Sequence, residues 1–172
     1  MTFLPKNYEI PQAPSDYMKF VKGENRFRIL DNATTGFEYW TQDSKPVRSK
    51  EPFEETPNIK IENGRQTDVK AFWAIPVWNY NSKSVQILEI TQVSIMSAIK
   101  ALYDNSKWGS PVNYDICVTK TGEKMETKYQ VTPEPPIEEP SQEIKDAYVM
   151  KTPNLEALFA NDGKGGDPFA PL

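Results

Sequence analysis

The sequence contains no histidine and a single cysteine, Cys117, among its 172 residues. One chain therefore cannot assemble a Cys/His zinc site, an internal disulfide, or a catalytic arrangement of the Ser-His-Asp or Cys-His type. The sequence also lacks a G-x-x-x-x-G-K-[ST] phosphate loop, a G-x-G-x-x-G motif and a clustered Asp/Glu motif for magnesium. We therefore expect a protein that is not an enzyme and that uses neither a cofactor nor a metal.

Long apolar runs are also missing. No stretch of 18 apolar residues occurs, and the first residues lack the basic and apolar regions of a secretory signal. We expect no membrane association, and the single cysteine fits a reducing cytoplasm. Because Cys117 lies within an apolar segment, it is predicted to be a buried small hydrophobe and not a reactive thiol.

Composition and charge divide the chain into three parts. The hydrophobic share is only 38%, and the 15 prolines indicate that part of the chain lies outside the folded unit. Residues 1–132 carry a net charge of +1, whereas residues 133–172 carry −5. We predict an extended N-terminal arm at 1–24, a domain at 25–132, and a Pro/acid-rich linker with a flexible tail at 133–172. A near-neutral domain argues against a strongly basic binder of duplex DNA.

The central part of the chain, residues 69–91, consists of two runs of β-branched and aromatic residues around the polar segment 81–84. This arrangement is typical of a β-hairpin. Because side chains of a strand alternate between faces, Trp73, Ile75 and Val77 are predicted to point into the core. The opposite face then carries Lys70, Phe72, Trp78 and Tyr80. Pro76 cannot donate to a β ladder, and a bulge there would exchange the two faces beyond it.

The order of the predicted elements indicates the fold. Residues 25–31 alternate between apolar and polar side chains, and residues 37–41 resume the pattern after a turn or bulge. The central hairpin follows, then a helix at 92–105 and a second hairpin at 114–132. We therefore predict a mainly β protein with a five-stranded OB-fold barrel and a helix between strands 3 and 4. Strand parity assigns Phe27, Trp73 and Tyr129 to its core.

Residues 42–68 show no sustained period and contain three prolines. A segment of this length without structure is predicted to be a functional loop or disordered. Lys45, Arg48 and Lys50 lie close together within it, so that a phosphate-contacting loop and a merely solvated, mixed-charge loop both remain open. Two short helices are predicted beyond the domain, at residues 141–150 and 154–160.

Several segments together resemble phage-encoded single-stranded DNA-binding proteins. They are residues 23–30 (G-E-N-R-F-R-I-L), 36–40 (G-F-E-Y-W), 70–73, 77–80, 108–109 and 114–116, together with the acidic tail. The resemblance covers about residues 3–132. It implies a protein of the host cytoplasm that acts in phage DNA replication or recombination. The tail departs from the bacterial pattern of an acidic run that ends in Pro-Phe, because three residues follow Phe169.

These observations predict sequence-tolerant binding of single-stranded DNA, through base stacking on aromatics and phosphate contacts from cations. The candidate nucleic-acid contacts are Arg26, Arg28, Tyr39, Trp40, Lys45, Arg48, Lys50, Lys70, Phe72, Trp78, Tyr80 and Trp108. Asp167 and Phe169 are candidates for recruiting replication or recombination proteins through the tail. Two alternatives stay open. One is an OB-type module for protein interaction or virion assembly, and the other is a carboxylate-dependent nuclease.

Overall fold

The computed structural model describes residues 2–10, 15–160 and 166–170, and this part of the chain is mainly β with two α-helices. The strands are β1 (Tyr17–Met18), β2 (Gly23–Ile29), β3 (Thr34–Trp40), β4 (Pro46–Ser49), β5 (Ile61–Glu62), β6 (Arg65–Gln66), β7 (Lys70–Asn79), β8 (Ser84–Ile90), β9 (Asp115–Thr121) and β10 (Lys128–Glu134). The α-helices are α1 (Val93–Asp104) and α2 (Gln142–Met150), and short 3-10 helices lie at Pro111–Asn113, Lys124–Glu126 and Leu155–Phe159. No helix within the described ranges has the length and apolar character needed to span a membrane.

The centre of the main sheet is β7. One edge of β7 pairs with β8, and its other edge pairs first with β3 and then with β2. The sheet continues from β2 to β9 and β10, while β1 lies parallel to β8 and β4 lies antiparallel to β3. The prediction of a mainly β fold is confirmed. Across the described residues, however, β8 does not pair with β10, so the sheet stays open where a closed five-stranded barrel was predicted.

The predicted local elements of the domain are present. The chain leaves the sheet between β2 and β3, as the turn or bulge in the sequence indicated, and both hairpins and α1 form. The β7–β8 register continues through Pro76, which lies opposite Ile87. Pro76 therefore does not exchange the two faces of β7, and Trp78 stays on the same face as Phe72.

One face of the sheet packs against α1 and forms the inner core. Phe27, Ile75 and Val77 from the sheet and Ile95 and Ile99 from α1 are buried there, and Trp73 and Tyr129 pack against them. Each fully buried side chain of this kind stabilises the fold by about 1.5–3 kcal/mol. The core assignments of Phe27, Trp73 and Tyr129 are confirmed, and Cys117 is buried as predicted.

The C-terminal segment packs on the other, outer face of the sheet. Ser141 caps α2 by accepting a hydrogen bond from the Ile144 amide, and both predicted short helices form. Ile144 packs with Trp78 and Val85, and Leu158 packs with Phe72. These helices therefore lie on the sheet and do not extend away from it as a separate tail.

Gly36 on β3 allows this close approach. A Cβ atom at this position would lie 2.9 Å from ring carbons of both Phe72 and Phe159 and 2.7 Å from the Ser49 carbonyl oxygen. Contacts this short do not occur around real Cβ atoms, so the 3-10 helix at Leu155–Phe159 could not sit where it does above any larger residue.

The N-terminal segment is partly pinned and partly exposed. Phe3 and Tyr8, in the described range 2–10, are exposed. Met18 on β1 is buried in the inner core, and Phe20 packs against it. The arm predicted for residues 1–24 is therefore attached to the inner core through Met18 and Phe20. Its last two residues already belong to β2, which begins at Gly23.

Candidate nucleic-acid interface

Residues 61–66 form a tight β-hairpin within the segment predicted to lack structure. Ile61 pairs with Gln66 and Glu62 with Arg65. Asn63 and Gly64 turn the chain with φ angles of 51° and 76°, the left-handed values of a type I′ turn. The prediction of an unstructured 42–68 segment is therefore wrong, and the Asn-Gly dipeptide was the signal that could have revealed the hairpin.

Backbone hydrogen bonds tie this hairpin to the end of β3. The Lys60 amide donates to the Trp40 carbonyl oxygen over 2.7 Å, and Thr41 forms a β-bridge with Ile59. The amide and the hydroxyl of Thr67 both donate to the Lys60 carbonyl oxygen at 2.9 Å. The hairpin is therefore held at a fixed distance from the sheet, with Trp40 at the junction.

A groove of about 330 Å³ lies between the hairpin and the sheet, and we call it the Trp40 groove. The Trp40 side chain lines it and is 44% exposed. Its other lining residues are the cations Lys60 and Lys70, the carboxylates Glu38, Glu62 and Asp68, and the hydroxyl residues Thr67 and Thr91. The structure thus brings together two predicted site residues, Trp40 and Lys70, and adds Lys60, which the sequence analysis missed.

The remaining predicted aromatics of β3 and β7 are covered. Phe72 is 0%, Tyr39 2% and Trp78 5% exposed, so the prediction that they stack on bases from an open face is wrong. The parity assignment itself was right, but other parts of the chain cover that face. The ring centroid of Phe159 lies 5.9 Å from that of Phe72, and Ile144 packs on Trp78.

Tyr39 is buried by the segment that follows β4. Phe53 packs edge-on against its ring at a centroid distance of 4.9 Å, and the Tyr39 hydroxyl donates to the Pro57 carbonyl oxygen over 3.1 Å. The sequence left a phosphate-contacting loop and a solvated loop both open for this segment, but at Tyr39 it completes the fold.

Arg48, a predicted phosphate contact, is held between two carboxylates. Its guanidinium donates to Glu38 at 3.1 Å and to Glu89 at 3.0 Å, and it lies 5.6 Å from the Phe72 ring centroid. Burial, together with the neighbouring Glu89, raises the pKa of Glu38 to about 8, although Arg48 acts in the opposite direction. Arg48 is therefore part of a mostly buried ion network, and the prediction that it contacts phosphate is wrong.

The other two cations of this segment have separate positions. Lys45 is exposed in the turn before β4 and makes no ion pair within the described residues. Lys50 pairs with Glu156 of the C-terminal segment at 2.5 Å, and its ammonium lies 5.5 Å from the Phe159 ring centroid. The three cations predicted to act together are therefore not one cluster.

Arg26, Arg28 and Tyr80 converge on Asp115. Arg26 donates to the Asp115 carboxylate at 2.5 Å, and the Tyr80 hydroxyl does so at 2.9 Å. Burial and this carboxylate raise the pKa of Tyr80 to about 12. Arg28 is buried and also donates to the carbonyl oxygens of Val112 and Glu138. Arg28 thus links β2 to two other segments, and the prediction that it contacts phosphate is wrong. The Arg26 side chain, in contrast, is half-exposed.

The last predicted residues also have intramolecular partners. Trp108 is partly buried and packs on Tyr114 at a centroid distance of 5.1 Å. Phe169 packs beside Leu158, with the Lys151 ammonium 4.5 Å from its ring centroid, and its amide donates to the Asp167 carboxylate at 3.0 Å. Phe169, predicted to reach partner proteins, thus lies on the chain's own sheet.

Among residues 2–10, 15–160 and 166–170, no group of three or more acidic or cysteine side chains is arranged to hold a metal ion. Comparison of the chain with protein-family models, with curated proteins and with solved structures gave no match. The functional assignment therefore depends on the geometry of the Trp40 groove and on the chemistry of its lining.

Proposed function

We propose that this protein binds single-stranded DNA with little sequence preference, through the Trp40 groove. The observation that carries the proposal is the exposed Trp40 indole next to two lysines, Lys60 and Lys70, in one groove. An exposed indole can stack on any base, because every base has a π-face, and each such contact contributes about 1–3 kcal/mol. The lysines supply phosphate contacts, which do not depend on sequence.

The strand connectivity supports this proposal. If β2 and β3 are taken as one interrupted strand, the sheet order β8-β7-β2-β9-β10 follows the 3-2-1-4-5 order of an OB-fold, with α1 between the third and fourth strands. In OB-folds the loop between the first two strands borders the nucleic acid. The corresponding segment here carries the hairpin wall of the Trp40 groove. We therefore propose an open variant of the OB-fold as its scaffold.

The charge of the groove predicts a shallow salt dependence. Two lysines face the carboxylates of Glu62 and Asp68, while the pKa of about 8 keeps Glu38 mostly protonated at neutral pH, and Lys60 already pairs with Glu62 at 3.3 Å. Single strands release roughly 0.7 counterions per phosphate neutralised, so two phosphate contacts give a slope of log affinity against log salt of about −1.4. Stacking then supplies much of the affinity, and this favours a flexible single strand over a duplex whose bases are already stacked.

The test is a titration of labelled oligo-dT, and of a duplex of equal length, at two salt concentrations. Trp40→Ala should weaken oligo-dT binding by about 5- to 150-fold, which corresponds to the loss of one stacking contact. Met125→Ala, a fully exposed apolar side chain outside the groove, is the control. The pair Lys60→Ala/Lys70→Ala should flatten the salt dependence, whereas the exposed pair Lys107→Ala/Lys128→Ala should change it less.

Equal affinity for oligo-dT and duplex would contradict the proposal, and so would full affinity of the Trp40→Ala variant. An OB-type protein-interaction module would bind neither DNA in this assay. A role in phage DNA replication or recombination, in the host cytoplasm, is part of the proposal and is supported by the sequence resemblance.

A further inference from the structure

A second cavity of about 330 Å³ opens on the inner face of the sheet, opposite the face that carries Lys70 and Phe72. It lies between the turn that joins β2 to β3, the second half of α1, and the 3-10 helix at Pro111–Asn113. We call it the Trp73 pocket. The cavity is independent of the Trp40 groove, since the two share no lining residue.

The floor of the Trp73 pocket is apolar and partly aromatic. Trp73 and Ile75 line it from β7, Ile29 from β2 and Ile99 from α1. Trp73 packs against the inner core but is only partly buried, so part of its indole is accessible from the cavity. The cavity volume lies at the lower end of the range of about 300–1,000 Å³ found for small-molecule sites.

The rim of the pocket is polar, but its charges are already paired. The Lys100 ammonium is 2.6 Å from the Asp104 carboxylate, and the Asp31 carboxylate accepts hydrogen bonds from the Asn32 amide and the Tyr148 hydroxyl. In contrast, the Asn32 side-chain amide and the Ser110 hydroxyl make no hydrogen bond within the described residues. The rim therefore offers neutral donors and acceptors and no unpaired cation among the described side chains.

Tyr103 forms a second aromatic wall at the mouth of the pocket. It lies on α1 and is 61% exposed, although it is a large aromatic residue beside an apolar cavity. A flat ring entering the cavity would contact both Tyr103 and Trp73, which would bury apolar area from both side chains. The site therefore suits a planar ligand better than a branched aliphatic one.

We propose that the Trp73 pocket binds one nucleobase, which contacts Trp73 and uses its hydrogen-bonding edge on Asn32 and Ser110. This inference takes its ligand class from the proposed function. Lys100 is the one cation among the described lining residues, compared with two in the Trp40 groove, and it is held 2.6 Å from Asp104. A benzene-type ring would make no hydrogen bond with the Asn32 amide or the Ser110 hydroxyl, whereas the edge of a base can bond to both. The base can come from a bound strand or from a free nucleotide, because the recognised chemistry is the same.

The probe is 2-aminopurine, a fluorescent base, used as the free deoxynucleoside and as a single substitution within oligo-dT. Contact with Trp73 should quench its fluorescence on addition of the full-length protein. Ala33→Leu adds a branched side chain to the lining and should weaken quenching about tenfold. Ala101→Leu is the matched control, because Ala101 is exposed on α1 and does not line the pocket. Asn32→Ala should weaken quenching by about threefold to tenfold through loss of one hydrogen bond.

Competition identifies the recognised group. Adenosine and thymidine should restore the fluorescence, whereas ribose 5-phosphate and phenylalaninamide should not. The inference is overturned if the free deoxynucleoside is not quenched and Ala33→Leu leaves the quenching within oligo-dT unchanged, if Ala101→Leu weakens quenching as much as Ala33→Leu, or if ribose 5-phosphate or phenylalaninamide competes equally well.

Failure of this inference and failure of the proposed function give different results. If oligo-dT binds through Trp40, but the free deoxynucleoside is not quenched and Ala33→Leu leaves the quenching within oligo-dT unchanged, the Trp73 pocket is refuted and the proposed function stands. If oligo-dT does not bind while the free deoxynucleoside is quenched and Ala33→Leu blocks it, the proposed function is refuted and the pocket stands as a site for free nucleotides.

Discussion

At the scale of single residues, burial separates Trp78 from Trp40. Trp78 packs with Val85 and Ile144 beneath α2, whereas Trp40 lines an open groove. Trp78→Ala should therefore lower the free energy of unfolding by about 3–5 kcal/mol, the usual cost of truncating a buried tryptophan. The affinity of the folded variant for oligo-dT should not change. Urea unfolding and anisotropy measure the two effects. A Trp78→Ala variant with wild-type stability and lost DNA binding would show that α2 does not cover Trp78 in solution.

A second prediction at this scale concerns the buried ion network. Burial and Glu89 raise the pKa of Glu38 from 4.5 to about 8, so folding favours its protonated form. The resulting stabilisation is complete below the unfolded pKa and is lost as the pH rises through the folded pKa. The wild-type free energy of unfolding should therefore fall between about pH 5 and about pH 9 more steeply than that of Glu38→Gln. Urea titrations at both pH values measure this, with the exposed Glu126→Gln as control. The prediction is contradicted if the free energy of unfolding falls equally with pH in the wild type and in Glu38→Gln.

At the scale of elements, the β5–β6 hairpin forms one wall of the Trp40 groove. Ala at position 64 would have to adopt the positive φ of 76° in the type I′ turn, at a cost of about 1 kcal/mol. Because the residues of β5 and β6 are exposed, Gly64→Ala should weaken oligo-dT binding while barely lowering the thermal midpoint. Gly23→Ala, with φ of 97° at the start of β2, is the matched control. It should lower the thermal midpoint and leave the affinity for oligo-dT unchanged. If Gly64→Ala lowers the thermal midpoint but binds oligo-dT with unchanged affinity, the hairpin does not shape the groove.

Local sequence patterns specified most elements. Alternation predicted β2, β7 and β8, and the apolar spacing of Ile95 and Ile99 predicted α1, because strand and helix periods are local properties. The β5–β6 hairpin has strands of two residues, too short for alternation to be visible, and only Asn63-Gly64 marked it. The open sheet could not be predicted, since closure depends on whether β8 and β10 meet, and no local pattern records this.

At the scale of the whole molecule, long-range partners decided which candidate site residues stayed available. The sequence predicted Trp40 and Lys70, and both line the Trp40 groove. It could not exclude Arg28 or Arg48, because their partners lie far along the chain: Asp115 and Glu138 for the first, and Glu89 for the second. A cation in an alternating strand looks the same in sequence whether it faces solvent or a distant carboxylate.

The C-terminal segment gives the last prediction, which concerns the stability of the whole molecule. Ile144 and Leu158 are buried on the outer face of the sheet and together contribute about 3–6 kcal/mol by burial. Truncation must begin after Pro140, because β10 ends at Glu134 and Arg28 donates to the Glu138 carbonyl oxygen. Removal of residues 141–172 should then lower the thermal midpoint by roughly 6–24 °C, at about 2–4 °C per kcal/mol for a chain of this size.

The pair Ile144→Ala/Leu158→Ala should reproduce most of this loss of stability within the full-length chain. The pair Val149→Ala/Met150→Ala is the control, because both side chains are exposed on the same segment, and its midpoint should stay within a few degrees of wild type. Differential scanning calorimetry measures all three proteins under one condition. If the truncated protein melts at the wild-type temperature, α2 and the 3-10 helix at Leu155–Phe159 do not belong to the folded unit, and the burial of Phe72 and Trp78 would need another explanation. If the truncated protein instead melts early and, below its midpoint, binds oligo-dT more tightly, the segment both completes the core and shields an aromatic face that DNA can reach.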